Sequence, residues 1–436
     1  MYNSKMRKLN LLSLLSNRIR SNVRPHELAR MIERLDPKDR ISVLKKISDE
    51  NLVKIIPELS SVTKAIIFTS LPLPKLLKIF QMLPPDERVD VLQALPAKER
   101  IKIIKNLEDE VKRETLSLLK YSPITAGGLM TTHFVSFPMT AQVKDVIKSI
   151  RKRKIKHYIY HVYVVDEYGK LVGVVSLREL IFAKPTQKLK DIMERDIVKV
   201  LPTTPEIEVV RLIKDNNLIA LPVVDKKGKL LGIITADDAM EAMEFESSKE
   251  IQVLAGISPL EDVIGSKIFS LAKARIPALV LGLFGTIIMS YIVGFFEPTL
   301  QKYLPLAFFM PLLVYLSDAM GTQSESITIR SLALDPQLPL AKYLTKQIKS
   351  GIIVSGLIAF LCFLFAFFVW GEKIGKIVGI SLFLSMNFSN LMSSLLPVIY
   401  KKVLKVDPAG ISGPIDTIIS DISTLVVYFV IATLLI

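Results

Sequence analysis

The stretch Val164-Val-Asp-Glu-Tyr-Gly-Lys-Leu-Val-Gly-Val-Val-Ser-Leu-Arg-Glu179 returns 59 residues later as Val223-Val-Asp-Lys-Lys-Gly-Lys-Leu-Leu-Gly-Ile-Ile-Thr-Ala-Asp-Asp238. Each copy reads as a strand, a glycine turn, a second strand and then a hydroxyl, Ser176 or Thr235, placed to cap a helix. Residues 125–245 are therefore expected to form a tandem α/β module.

A shorter period precedes this module. Leu35, Ile47, Leu59, Leu71, Leu83, Leu95, Leu107 and Leu119 recur every twelve residues, and Pro, Asp or Ser often follows, as in Leu35-Asp-Pro and Leu83-Pro-Pro. Such residues suit the cap and first position of a short helix. One such helix cannot bury its own apolar face, so stacked copies make an all-α helical repeat. Upstream, Lys5, Arg7 and Lys8 precede Leu9–Leu15. That stretch is short, broken by serines and lacks a small-residue cleavage site, so an amphipathic helix is expected rather than a signal peptide.

After about residue 270 the composition changes, with nearly uncharged runs such as Ile276–Phe296 and Ile352–Trp370. Each is close to the roughly 20 residues that cross a bilayer. Five spans are expected, near 274–296, 303–333, 343–370, 376–400 and 414–436. The net charge is +15. Its lysines and arginines are dispersed along helices and around the spans, without the basic stripe and interleaved aromatics of a nucleic-acid groove, so nucleic acid is not an expected partner. Lys267, Lys273 and Arg275 precede the first span, and Arg330, Lys342, Lys346, Lys349, Lys401, Lys402 and Lys405 mark the same side, which places the amino-terminal half in the cytosol and the carboxyl terminus outside. Cys362, the single cysteine, lies in a span and excludes an intrachain disulfide or a thiolate cluster. His157 and His161 have a helical metal-ligand spacing, but they flank Tyr-Ile-Tyr in a strand-like stretch, so no metal site is expected there.

The spans carry acids, which are costly in a bilayer and are by default functional. Asp421 lies with Thr417, Thr424 and Tyr428 on one face of the last span. Asp318, Thr322 and Glu325 repeat that spacing in the second span, and Asn387, Asn390 and Ser394 give the fourth a polar face. Carboxylate, amide and hydroxyl oxygens without sulfur suit a hard divalent cation such as Mg²⁺. The candidate pore residues are Asp421, Thr417, Asp318, Glu325 and Asn390. Hydroxyls and amides in spans also simply join helices.

The duplicated module resembles a pair of CBS domains, a regulatory module that often binds adenine nucleotides between its copies. By that resemblance Ser176 and Thr235 face the phosphates of ATP, while Glu179 and Asp238 meet ribose hydroxyls. The same residues also read as plain helix caps. The whole order of parts is similar to the MgtE family of magnesium channels. Leu83-Pro-Pro-Asp-Glu-Arg-Val-Asp-Val-Leu resembles its amino-domain repeat, Ala126-Gly-Gly-Leu-Met130 and Ala220-Leu-Pro-Val-Val-Asp225 its CBS region, and Asp407-Pro-Ala, Gly413-Pro and Ser420-Asp421 its last span.

The resemblance implies a multidomain membrane protein. A helical-repeat cytosolic domain is expected over 1–122, a tandem CBS domain over 123–245, a linking helix over 246–272 and a five-span pore domain over 273–436. It further implies a homodimer in the cell membrane with the pore at its axis, Asp421 as pore carboxylate and carbonyls near Thr417 behind it. Regulatory Mg²⁺ would be shared among acids of the cytosolic half, for which Asp237, Asp238, Glu244, Glu246, Glu250 and Asp407 are available, with Lys249 among them and Asn217 where an acid is expected. The second span departs from the family's Gly-Gly-Asn-x-Gly-x-Gln: it reads Ser317-Asp318-Ala319-Met320-Gly321-Thr322-Gln323. The expected function is gated, passive entry of Mg²⁺, with a Mn²⁺- or Co²⁺-preferring transporter of the same fold as the alternative. An intramembrane aspartyl protease using Asp318 and Asp421 would be an enzyme reading, but its Gly-x-Gly-Asp pattern is absent. A non-conducting sensor would leave the polar faces of three spans without a role.

Overall fold

A computed structural model describes residues 24–152, 159–335, 338–406 and 412–436. The amphipathic amino-terminal segment, His157 and Asp407 lie outside the described residues. The chain divides into two compact units, one running to Glu246 and including Glu261–Ser266, the other made of Ser247–Leu260 and Lys267–Ile436.

The twelve-residue period becomes a run of short helices: α1 (Pro25–Glu33), α2 (Pro37–Leu44), α3 (Asp49–Ile55), α4 (Ser61–Ser70), α5 (Leu73–Met82), α6 (Pro85–Ala94), α7 (Ala97–Lys105) and α8 (Asp109–Leu119). Prolines at the first turns of α1, α2, α5 and α6 occupy positions whose N–H would lack an intrahelical acceptor. Leu35, Ile47, Leu59, Leu83, Leu95 and Leu107 are buried in one continuous core, with Leu71 and Leu119 packed against it. A second rule rides on the first. Five residues after a repeat leucine, Arg40, Arg88 and Arg100 turn back and donate to the carbonyls of Leu35, Leu83 and Leu95 at 2.9, 2.9 and 3.2 Å. These bonds satisfy backbone groups between successive helices that would otherwise be buried unpaired.

After α9 (Ala126–Leu129) come β1 (Ser136–Pro138), α10 (Val143–Lys152), β2 (His161–Val165), β3 (Leu171–Ser176) and α11 (Leu177–Phe182). The second copy holds α12 (Glu206–Asp215), β4 (Ala220–Val224), β5 (Leu230–Thr235) and α13 (Ala236–Leu254). β2 pairs antiparallel with β3, Val164 opposite Gly173, and β4 with β5, Val223 opposite Gly232. The duplicated Asp-x-x-Gly-Lys is the turn: Asp166 Oδ1 accepts from the amides of Tyr168 and Lys170, and Asp225 Oδ1 from those of Lys227 and Lys229. Gly169 and Gly228 sit there at φ of 77° and 84°, where a side chain is disfavoured. The two turns bond each other, Leu171 N to Gly228 O and Leu230 N to Gly169 O, so the copies meet as equivalent partners.

α13 ends at Leu254 and Gly256 follows at φ 70°. The stretch 246–272, expected as one linking helix, thus holds the end of α13, a turn and the start of α14 (Ile268–Phe295). The remaining elements are α15 (Glu297–Lys302), α16 (Pro305–Leu334), α17 (Leu340–Trp370), α18 (Glu372–Ile399), continued by a π-helical turn over Tyr400–Leu404, and α19 (Ser412–Leu435). Among the described residues, five helices are long and apolar enough to cross a membrane, α14, α16, α17, α18 with its π turn, and α19. α18 packs against α16, α17 and α19. Ser381, Ser385, Ser389 and Ser393, four apart, are all buried on it. Small residues at that spacing let helices approach closely where no hydrophobic force acts between them.

Candidate functional site

In the membrane-spanning unit α16 and α19 bring Asp318, Thr417 and Asp421 together. The Thr417 hydroxyl bonds Asp318, and the charge of Asp318 bears on Asp421. Asp421 Oδ1 is buried without a hydrogen-bond partner. Both carboxylates are partly exposed. Behind them Ser420 and Ser389 share a hydroxyl bond of 2.8 Å that fixes α19 against α18.

Other expected pore residues lie elsewhere. Asn390 is 1% exposed, and its amide accepts from Ser324 at 2.7 Å and donates to the Gln347 carbonyl at 3.0 Å. It ties α18 to α16 and α17, so its amide serves helix joining. Asn387 likewise donates to Ser355 and to the Phe383 carbonyl. Tyr428 is buried and donates to the Leu306 carbonyl at 2.8 Å. Thr322 faces outward. Glu325, two turns from Asp318, is buried near Asp416 and Tyr400.

The soluble unit holds the acid cluster. Asp86, Glu87 and Asp90 of α6 lie beside Asp237, Asp238 and Glu241 of α13, with Glu58, Glu244 and Lys64 around them. Burial, then the neighbouring Glu87, raises the Asp86 carboxyl to about 6. Burial, then Asp86, raises Asp238 to about 7. Lys64 stays charged despite its burial because Glu87, 3.2 Å away, and Asp90 hold its proton. Of the expected regulatory acids, Asp237, Asp238 and Glu244 belong to this cluster, while Glu246 and Glu250 lie further along α13. Sequence reasoning missed Asp86, Glu87, Asp90, Glu58 and Glu241. The four-residue spacings of Asp86 to Asp90 and of Asp237 to Glu241, each one helix face, were the available signal.

The expected nucleotide residues divide between two places. Ser176 and Glu179 form a reciprocal capping box on α11, and at the start of α13 the Thr235 amide and hydroxyl donate to Asp238 Oδ2. Ser176 and Glu179 line one opening, with Arg178 and Phe182. A separate cleft of about 400 Å³ lies between the copies, with His161, Tyr163, Glu194, Asp196, Asn216 and Asn217 among its lining residues. Burial lowers His161 below the usual imidazole value, so the ring is neutral and can both donate and accept.

A bundle with carboxylates in its interior, carried with a soluble half that gathers acids and a nucleotide-sized cleft, defines a regulated cation-transport protein of the membrane. Three family models divide the chain: the MgtE intracellular N domain over 23–123, the CBS domain over 126–185 and 189–244, and the MgtE divalent cation transporter over 310–431. The magnesium transporter MgtE of Thermus thermophilus is 33% identical over 335 residues, which cover 76% of this chain and 74% of that protein. Its Bacillus subtilis counterpart is 31% identical over 75% of this chain and 73% of its own. A crystal structure of the cytosolic domain of the Mg²⁺ channel MgtE in complex with ATP is similar at 32% identity and a TM-score of 0.49, over 53% of this chain and 92% of that one. The chain belongs to the MgtE family of divalent cation transporters.

Proposed function

We propose that this protein is a Mg²⁺ channel of the cell membrane, working as a homodimer with its soluble half in the cytosol and its carboxyl terminus outside. The observation that carries the reading is the Asp318–Thr417–Asp421 site, in which two carboxylates share a polar position between spans with no basic side chain acting on either among the described residues. Oxygen donors of this kind suit a hydrated, hard divalent ion. Inside-negative voltage supplies about 2.3 kcal/mol per elementary charge per 100 mV, so a divalent cation enters without a coupled reaction. Transport, not catalysis, is then the whole task, and no enzyme activity is assigned.

The acid cluster of the soluble unit is the proposed sensor. Its carboxylates repel at neutral pH, and a divalent cation that binds this arrangement shifts the protein toward it. The cleft with His161, Glu194 and Asp196 is the proposed nucleotide site. Its volume fits an adenine nucleotide such as ATP, and its acids suit ribose hydroxyls. Ser176 and Glu179, committed to each other as a cap, are secondary candidates.

The test is ion flux into proteoliposomes carrying the full chain. Wild type is expected to pass Mg²⁺ in preference to Mn²⁺, Co²⁺ and Ca²⁺, and Asp421→Ala to lose saturable flux. Preference for Mn²⁺ or Co²⁺ would reassign the cargo, and unchanged flux in Asp421→Ala would remove the site.

A further inference from the structure

A positive charge lies inside the acid cluster of the soluble unit. Arg40, Lys64, Arg88 and Lys112 stand 24 residues apart, on α2, α4, α6 and α8, each five residues after a repeat leucine. Arg40 and Arg88 use one guanidinium nitrogen on the carbonyl of that leucine and keep others for acids, Glu33 and Asp262 in the first case and Glu114 in the second. A lysine has a single nitrogen. Lys64 is 6% exposed, and its ammonium goes forward to Glu87 Oε2 at 3.2 Å.

Glu87 lies on α6 between Asp86 and Asp90, and α13 brings Glu241 close enough for its charge to act on Lys64. The ammonium therefore bears on Glu87, Asp90 and Glu241 from two helices, and Asp86 feels it as well. One positive charge cannot neutralise four acids. Asp86 still has an oxygen, Oδ1, that is buried and accepts no hydrogen bond. The cluster thus holds a cation of its own and keeps a donor oxygen open beside it.

The residue type sets how firmly that cation stays. A planar guanidinium anchored on a backbone carbonyl is fixed in place, whereas an ammonium is a compact point charge on a flexible four-carbon stem. A divalent ion carries twice the charge and takes several carboxylate oxygens at once. It therefore competes with Lys64 for the same acids, and repulsion by the ammonium raises the concentration it needs. An opposite charge within about 4–6 Å of a carboxylate changes the affinity of that acid for a proton by roughly tenfold or more. A doubly charged ion responds in the same direction.

We propose that Lys64 is a tethered cation that holds the acid cluster partly neutral without divalent ions and sets the concentration at which they bind there. The proposal rests on the sensor reading of the cluster, and its test separates the two. The full-length protein with Asp421→Ala is placed in lipid nanodiscs at pH 8, and Mn²⁺ binding isotherms are recorded by electron paramagnetic resonance. Adding Lys64→Met is expected to tighten Mn²⁺ binding by roughly tenfold. Lys64→Gln carries the same expectation if Lys64→Met does not elute as a folded protein. Lys64→Arg, which keeps the charge and brings further nitrogens for the Leu59 carbonyl, should bind no more tightly than the unsubstituted lysine. Asp86→Asn combined with Lys64→Met should weaken binding again, which assigns the gain to the cluster. Unchanged isotherms in the neutralised variants, an equal gain in Lys64→Arg or a gain that survives Asp86→Asn overturns the proposal. Mg²⁺ flux with Asp421 restored tells the two claims apart. Tight binding in Lys64→Met with wild-type inhibition of flux removes the sensor and leaves the role of Lys64 standing. Unchanged isotherms with inhibition shifted by Asp86→Asn leave the sensor and remove that role.

Discussion

At Asp238 burial, and then the charge of Asp86, raise the carboxyl to about 7, while Thr235 uses the same side chain as a helix cap. Asp86 is held at about 6 by burial and Glu87. For an acid whose folded value lies above its unfolded one, the folded state holds the extra proton. Stability is therefore full below the ordinary carboxylate range near 3.8 and falls as pH rises through 6 to 7. A divalent cation bound there, as proposed, would replace the lost protons. The full-length protein is expected to show a lower Tm at pH 8 than at pH 5.5 without divalent ions, with most of the difference recovered by Mg²⁺ at pH 8. In Asp86→Asn, which leaves the Thr235 cap intact, the Tm at pH 8 without Mg²⁺ should rise and the gain on adding Mg²⁺ should shrink. A pH-independent Tm in wild type would remove the repulsive cluster. The depressed carboxyl of Asp262, whose burial is outweighed by its bonds to Arg40, works in the opposite sense and loses its contribution only as pH falls below the ordinary carboxylate range.

The short helices depend on long-range ties that the repeat alone does not announce. Arg40 of α2 is fully buried and bonds Glu33, Thr63 and Asp262, the last 222 residues away in the Glu261–Ser266 segment. Arg40→Ala leaves two acids short of their cation, a loss of about 3–5 kcal/mol for a buried pair. Denaturant unfolding of the purified chain is expected to show that loss, and Arg40→Lys to recover only part of it, since an ammonium lacks the planar fork. In the membrane unit Asn390→Ala removes two helix-joining bonds, with an expected cost of roughly 1–2 kcal/mol in thermal or denaturant stability. Its ion preference in flux should match wild type, whereas a ligand of the ion would change it. The twelve-residue period, the duplication and the spans were legible because each is a local pattern that burial enforces at fixed spacing. The role of Asn390 was not, since an amide facing water and an amide bridging helices share one sequence signature. A single linking helix over 246–272 does not form because the left-handed turn at Gly256 breaks a stretch whose apolar and charged residues otherwise continue. Asp416 is not singled out by the sequence because only the packing of α16 against α19 brings the charge of Glu325 to bear on it.

Across the whole chain, the proposed sensor and the proposed ion site belong to different compact units, and regulation of one by the other would be a coupling free energy. On the proposed reading, Asp86 and Asp238 would change their cost with bound cation; α13, which carries Asp238, runs from the soluble unit into the segment that precedes the first span. Coupling of this kind is typically worth about 1–3 kcal/mol, or roughly 5- to 150-fold in apparent affinity. The expected outcome in proteoliposomes is that Mg²⁺ on the face of the soluble half slows Mg²⁺ entry. In Asp86→Asn the concentration for half-inhibition should change by about fivefold or more, with maximal flux near wild type. Asp421→Ala should do the reverse, removing flux while the full chain keeps its Mg²⁺-dependent rise in Tm at pH 8. Equal inhibition in wild type and Asp86→Asn would show that the acids stabilise the soluble half without governing the pore, because a ligand that fails to distinguish two states cannot shift them.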